Sequence, residues 1–123
     1  MLTVLIVDDE PENVELLKRR LGRRGFAVLG ALRADEAVRV AVEHRPAVVL
    51  MDIKMPVVDG FEATQRLKAD PDTRPIPVIA LTAHAMQEDR DRAFAAGASE
   101  YETKPVDLDR LIQKITALAG ARP

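Results

Sequence analysis

Short apolar runs alternate with helix-period segments along almost the whole chain. Residues 2–7 are nearly all aliphatic and read as a first strand. Residues 11 to about 24 read as a helix, with Pro11 at an early position where its missing N–H is harmless. Gly25 breaks it, and residues 26–31 give a second strand. A second helix over 34–43 stops before Pro46, which disfavours helix in the residue ahead of it. A third strand covers 47–51 and a third helix 59–68. The segment Asp70-Pro71-Asp72-Thr73-Arg74-Pro75 is loop by composition. A fourth strand over 77–81 leads to a fourth helix over 86–96, with Gly97 as its C′ residue. A short fifth strand at 99–102 precedes a last helix at 106–118. Leu108, Leu111, Ile112, Ile115 and Leu118 form a continuous stripe on that helix.

Five strand–helix units with near-continuous apolar strands predict an α/β parallel sheet covered on both faces. Right-handed crossovers leave few topologies. A flavodoxin-like (βα)5 fold, with five parallel strands in order 2-1-3-4-5, fits the count. Strands 1 and 3 are then neighbours, and the winding reverses between them, so their carboxyl ends form the binding crevice. One domain is expected over residues 1–119, with a short tail at 120–123 and no output domain.

Composition narrows the partners. At 123 residues a single core is feasible without staples. The absence of cysteine excludes disulfides and thiolate metal sites. A formal net charge of −2 implies no global pull toward nucleic acid or membrane. No basic-then-apolar leader precedes the first strand, and no apolar run approaches membrane-spanning length. With no Trp, three Phe and one Tyr, an aromatic stacking platform for single strands is not expected. A cytoplasmic protein that binds neither nucleic acid nor membrane is the expectation.

The chemistry gathers at the strand tips. Asp8 and Asp9 follow the first strand, Asp52 the third and Lys104 the fifth. In a parallel sheet these tips share one edge. Clustered carboxylates repel, and each would take up a proton unless a cation joins them. A divalent cation with oxygen ligands, such as Mg2+, suits the set, and a lysine beside it suggests phosphoryl chemistry. Asp52 could serve as ligand, base or nucleophile. As a nucleophile toward phosphorus it would need an ionised carboxylate, a metal and in-line access. Thr82 closes the fourth strand and brings a hydroxyl to the same edge, where a bond to a phosphoryl oxygen would be charge-assisted. Taken alone, Asp8-Asp9-Glu10 also reads as acids at a helix N-terminus, which that dipole end favours.

With these residues in place the chain resembles a response-regulator receiver domain, of the chemotaxis-regulator kind. The matching segments are Asp8-Asp9, Asp52-Ile53-Lys54-Met55-Pro56 with Asp59-Gly60, Leu81-Thr82-Ala83, and Tyr101-Glu102-Thr103-Lys104-Pro105. Thr82, Tyr101 and Lys104 follow Asp52 at spacings of 30, 49 and 52 residues. The segment Thr82-Ala83-His84-Ala85-Met86 is also similar to single-domain cell-cycle receivers and hybrid-kinase receivers. The resemblance implies a phosphorelay switch. Asp52 would accept a phosphoryl group from a histidine kinase or histidine phosphotransfer protein. Asp9, Asp52 and the backbone carbonyl of Lys54 would bind Mg2+ (with Mn2+ as a substitute), and Asp8 would assist. Lys104 and Thr82 would contact the phosphoryl group, and Thr82 with Tyr101 would form the switch pair. Lys54 and His84 would set phosphoryl lifetime. The Lys104-Pro105 peptide would be cis.

Other features remain. The middle of the fourth helix, Gln87-Glu88-Asp89-Arg90-Asp91-Arg92, offers no large apolar side chain, so Met86, Phe94 and alanines must anchor it. It reads either as a solvated face or as an element easily displaced. The resemblance makes the fourth helix, fifth strand and last helix the readout surface for a downstream protein target, and a phosphorylation-dependent dimer through that surface is compatible. Lys18-Arg19-Arg20 with Arg23-Arg24 read as cations at a helix C-terminus or as a docking surface for the histidine-bearing donor, with Leu16 or Val14 beside them. His44 reads as a helix end. Competing readings are a receiver excised from a hybrid kinase or larger regulator, and a metal-dependent phosphohydrolase. A flavin or cobalamin carrier on the same fold is disfavoured, because no Asp-x-His-x-x-Gly motif occurs and the carboxylates would repel a cofactor phosphate.

Overall fold

Strand alternation decides which layer each side chain joins. The computed structural model describes residues 2–55, 57–83 and 87–120. Its ten elements run β1 (Thr3–Val7), α1 (Pro11–Gly22), β2 (Ala27–Ala31), α2 (Ala34–His44), β3 (Val48–Asp52), α3 (Gly60–Ala69), β4 (Val78–Thr82), α4 (Gln87–Ala96), β5 (Glu100–Thr103) and α5 (Leu108–Gly120). The five strands are parallel, in the order β2-β1-β3-β4-β5. This bears out the flavodoxin-like (βα)5 expectation.

Two apolar layers flank the sheet. Val4, Ile6, Val48, Leu50, Ile79 and Leu81 meet Val14, Leu17 and Leu21 of α1 and Leu111 and Ile115 of α5. Leu5, Val7, Val49 and Met51 point the other way, onto Ala34, Ala37 and Ala41 of α2 and Ala63 and Leu67 of α3. On that second face, beneath α4, Ala80 packs with Ile53, Phe61, Ala93, Ala96 and Ala98. Leu111 and Ile115 are fully buried and contribute about 2 kcal/mol each, whereas an alanine methyl contributes under about 1 kcal/mol. Helix α4 buries only Ala93 and Ala96, and is the least anchored of the five among the described residues. Phe94 does not anchor it: its side chain is 43% exposed. Met86 lies outside the described residues.

Element ends differ from the sequence reading by one or two residues. Strands β3, β4 and β5 each run one residue further, through Asp52, Thr82 and Thr103. The ladder continues there, with Ile53 N–H donating to Leu81 O at 3.0 Å and Lys104 N–H to Thr82 O at 2.8 Å. Helix α1 stops at Gly22. Phe26 N–H reaches back to Leu21 O at 3.2 Å, a closure that needs Gly25 at φ +91, a conformation open to glycine. Asp52 pairs in register with Leu81, and Thr82 with Thr103. The carboxyl ends of four strands therefore form one continuous edge.

Candidate functional site

The edge is built by short local turns. Asp8 N–H still donates to Ala31 O at 3.1 Å, holding the end of β1 to β2. The Asp8 carboxylate then accepts the N–H of Glu10 at 2.9 Å, bending the chain toward α1 as aspartate side chains do in turns. Asp8 is buried, while Asp9 is half-buried. Asp52 is the last residue of β3 and is 5% exposed. One carboxylate oxygen from each of Asp8, Asp9 and Asp52 lies within 4.8 Å of the others.

Lys104 is the cation among them. Its Nζ lies 3.2 Å from Asp52 Oδ1 and 3.7 Å from Asp8 Oδ2. The Lys104-Pro105 peptide is cis, as expected. Burial pushes the Asp52 carboxyl above its ordinary value; Lys104 opposes this, Asp8 adds to it, and the N–H of Lys54 at 3.2 Å pulls it back. One ammonium against three carboxylates leaves an acidic excess in a partly desolvated notch. Hard oxygen donors this close suit Mg2+ or a similar divalent ion.

The loop from β3 to α3 holds Asp52 by close approach. Gly60 sits where a Cβ would meet the Asp52 carbonyl oxygen at 2.2 Å and Ile53 Cα at 2.6 Å. Gly60 N–H donates to Ile53 O at 2.9 Å, and Asp59 caps α3 by accepting the N–H of Glu62 at 2.9 Å. A cleft of about 460 Å3 opens beside this loop, lined by Lys54, Asp59, Thr82, Ala83 and Arg92 among others.

Thr82 is buried at the end of β4. Tyr101 pairs with Ala80, and Thr103 with Thr82, so Tyr101 and Thr82 project from one face of neighbouring strands, one pleat apart. The Tyr101 ring lies under the Arg90 guanidinium at 4.8 Å and 5.9 Å from Lys114 Nζ.

The sequence reading gave no role to Glu102, Arg110, Lys114 or Arg90. Glu102 is buried on β5 and takes a bidentate bond from Arg110 and a salt bridge from Lys114 at 3.1 Å. A glutamate inside a strand, followed eight and twelve residues later by cations on the next helix, was the available signal. Lys54 lines the cleft beside Asp59 and Thr82; His84 and Pro56 lie outside the described residues. The two candidates on α1 separate: Leu16 is 52% exposed and Val14 is buried beneath Gly30. Leu16 and Arg20 share a groove with Asp8, Lys104 and Pro105. Arg24 reaches Asp109 of α5. His44 sits on the surface near Glu43, as a helix end should. No helix among the described residues is long and apolar enough to cross a membrane.

Residues 4–116 match the family described as the response regulator receiver domain. The chain is 42% identical over 121 residues to the protein PilH of Pseudomonas aeruginosa, covering 98% of this chain and all of that one. It is 39% identical over 118 residues to the polar-differentiation response regulator DivK of Brucella anthropi, covering 96% of each. Among solved structures, the receiver domain of a Pseudomonas aeruginosa sensor histidine kinase superposes with a TM-score of 0.88 at 34% identity, over 98% of both chains. That domain has a magnesium ion coordinated in its active site cleft.

Proposed function

The chain belongs to the response regulator receiver family and is a phosphorelay signalling switch, and from that premise we propose that Asp52 is its phosphoacceptor. The observation that carries this reading is the placing of Asp52 Oδ1 3.2 Å from Lys104 Nζ inside a three-carboxylate cluster. Asp8, Asp9, Asp52 and the Lys54 carbonyl would hold Mg2+, which when bound neutralises phosphoryl oxygens.

The rest is done by the chain itself. The Asp52 carboxylate oxygen attacks phosphorus of a phosphohistidine. The P–N bond breaks, and the imidazole leaves with its electron pair and takes up a proton. Lys104 exchanges one partner for another, from the Asp52 carboxylate to a phosphoryl oxygen, and so keeps the new charge compensated. Thr82 donates its hydroxyl to a second phosphoryl oxygen. Attack by water on phosphorus later returns the carboxylate and inorganic phosphate. Self-phosphorylation from a small phosphodonor and autodephosphorylation thus belong to the same site, with Lys54 and His84 as the residues that admit water.

The donor is a histidine kinase or histidine phosphotransfer protein. Exposed Leu16 with Arg20, in the groove beside Lys104, supports docking along α1. The output is a change in the α4–β5–α5 face. Thr82 is drawn toward the phosphoryl group and Tyr101 follows, which supports a downstream protein partner or a phosphorylation-dependent dimer on that face. A cytoplasmic setting suits such a relay.

Intact-mass detection of an acid-stable, base-labile acyl phosphate after incubation with acetyl phosphate and Mg2+ tests the reading. One stoichiometric phosphoryl group is expected on the natural chain and none on Asp52→Asn. Multiple turnover of a simple phosphomonoester would favour a phosphohydrolase instead.

A further inference from the structure

Helix α4 is fastened differently from its neighbours. Besides Ala93 and Ala96, two arginines stacked on aromatic rings hold it. Arg92 lies 4.2 Å over the ring of Phe61 on α3, with its Nη2 3.7 Å from Asp59 Oδ2. Arg90 lies 4.8 Å over the ring of Tyr101 on β5. Residues two apart on a helix project about 200° apart, so the two arginines reach opposite neighbours.

The two rings differ in what surrounds them. Phe61 is buried in the cluster of Ile53, Ala80, Ala93, Ala96 and Ala98. Tyr101 is half-buried and only packs against the rim of that cluster. One anchor therefore sits on a fixed ring and the other on a ring with room to move.

We propose that Arg90 is a positioning residue that ties α4 to Tyr101, and that Arg92 on Phe61 is the pivot left in place when Tyr101 moves. This rests on the switch role of Thr82 and Tyr101 given above. Withdrawal of the ring toward Thr82 takes it from under the guanidinium. The first turns of α4 are then released, while Arg92, Ala93 and Ala96 keep the later turns docked. A phosphoryl group at Asp52 is thus converted into a tilt of one helix rather than its loss.

The chain supplies its own probe, since Tyr101 is its single tyrosine and it has no tryptophan. Tyrosine emission is followed while beryllofluoride is titrated at fixed Mg2+, alongside amide hydrogen exchange of α4. The natural chain should change emission on titration, with faster exchange confined to the start of α4. A cation over an exposed ring is a weak contact, so Arg90→Gln should lower the beryllofluoride midpoint by about twofold to fivefold. It should also show the faster exchange already at rest. Arg90→Lys keeps a cation and should stay near the natural midpoint. Arg92→Gln should loosen α4 alike in both states, with the midpoint unmoved. An unchanged midpoint in Arg90→Gln, an equal shift in Arg90→Lys, or an equal shift in Arg92→Gln would each overturn the proposal. A natural chain whose emission ignores beryllofluoride while Asp52 still accepts a phosphoryl group would overturn the switch role itself, and the Arg90 coupling with it.

Discussion

Lys104 Nζ stands 3.2 Å from Asp52 Oδ1, its nearest carboxylate oxygen among the described residues, with Asp8 Oδ2 next at 3.7 Å. The lysine is one-third exposed and the two aspartates are buried. It therefore offsets a repulsion that water screens poorly, without matching it. Two consequences separate its role from that of a metal. On the proposed mechanism a lysine in this position would compete with a divalent ion for the same oxygens, yet would stabilise the phosphoryl oxygens once they arrive. Lys104→Ala should slow phosphoryl transfer by about a hundredfold, the scale for losing one preorganised electrostatic partner of a transition state. Mg2+ affinity should hold or rise. Transfer kinetics beside a calorimetric Mg2+ titration check both, and a large loss of Mg2+ affinity would mean the lysine has been given the wrong part.

If the acidic cluster binds Mg2+ as proposed, stability should depend on that ion. An ion that binds only the folded edge stabilises it by mass action, by about 2.7 kcal/mol when free ion is a hundredfold above its dissociation constant. The natural chain should melt higher in Mg2+ than in a chelator. Asp9→Ala removes one of the three oxygen donors that lie within 4.8 Å of each other, and it is the one least buried. That variant should melt normally in the chelator but gain little from Mg2+. Melting curves with and without the ion, for both chains, decide it. An equal gain in the variant would remove Asp9 from the ligand set.

Gly60 fixes Asp52 from behind. Its backbone does not enter the positive-φ region; the constraint is space, since a Cβ there would lie 2.2 Å from the Asp52 carbonyl oxygen. That neighbour is strand backbone and cannot swing aside. Gly60→Ala should therefore cost about 2 kcal/mol or more, through the shift it forces. It should also displace the Asp52 carboxylate, lowering phosphorylation beyond the fraction unfolded. Denaturant melts and labelling of the folded fraction test the two parts separately. A fully active, stable variant would show that the loop yields.

The fold and the acidic edge were legible because they depend on patterns the backbone cannot disguise. Strands buried on both faces leave unbroken aliphatic runs such as Val48, Val49, Leu50 and Met51, and the chemistry sits where those runs stop. Strand ends were misplaced by one residue because Asp52, Thr82 and Thr103 are polar yet still paired in the ladder. Side-chain partners across elements were not legible. That Arg90 would find Tyr101 and Arg92 would find Phe61 depends on how α4 is turned over the sheet, and a helix with no large apolar face carries no signal of its rotation. Val14 and Leu16 were inseparable for a related reason: two residues apart on a helix, only the docking of α1 says which is inside.

Glu102 gives a dependence on pH whose sign follows from its partners. Burial pushes its carboxyl up, but the hydrogen bonds from Arg110 and Lys114 outweigh burial and hold it below the ordinary value of 4.5. A carboxyl depressed by folding contributes stability that is fully present above its unfolded value. That stability is lost as pH falls through the lower, folded one. The natural chain should thus shed this contribution only below about pH 4.5, where the unfolded chain takes up the proton first. Glu102→Gln removes the charge and leaves Arg110 and Lys114 to water, which both can reach. At neutral pH the variant should be less stable by about 1–2 kcal/mol, the worth of charge-assisted bonds discounted for that exposure. The gap between the two chains should stay level from neutral pH down to about pH 5 and close as acid protonates Glu102 in the natural chain. Urea melts of both chains across that range measure the gap directly. A gap that widens in acid would mean that burial, not the two cations, governs Glu102.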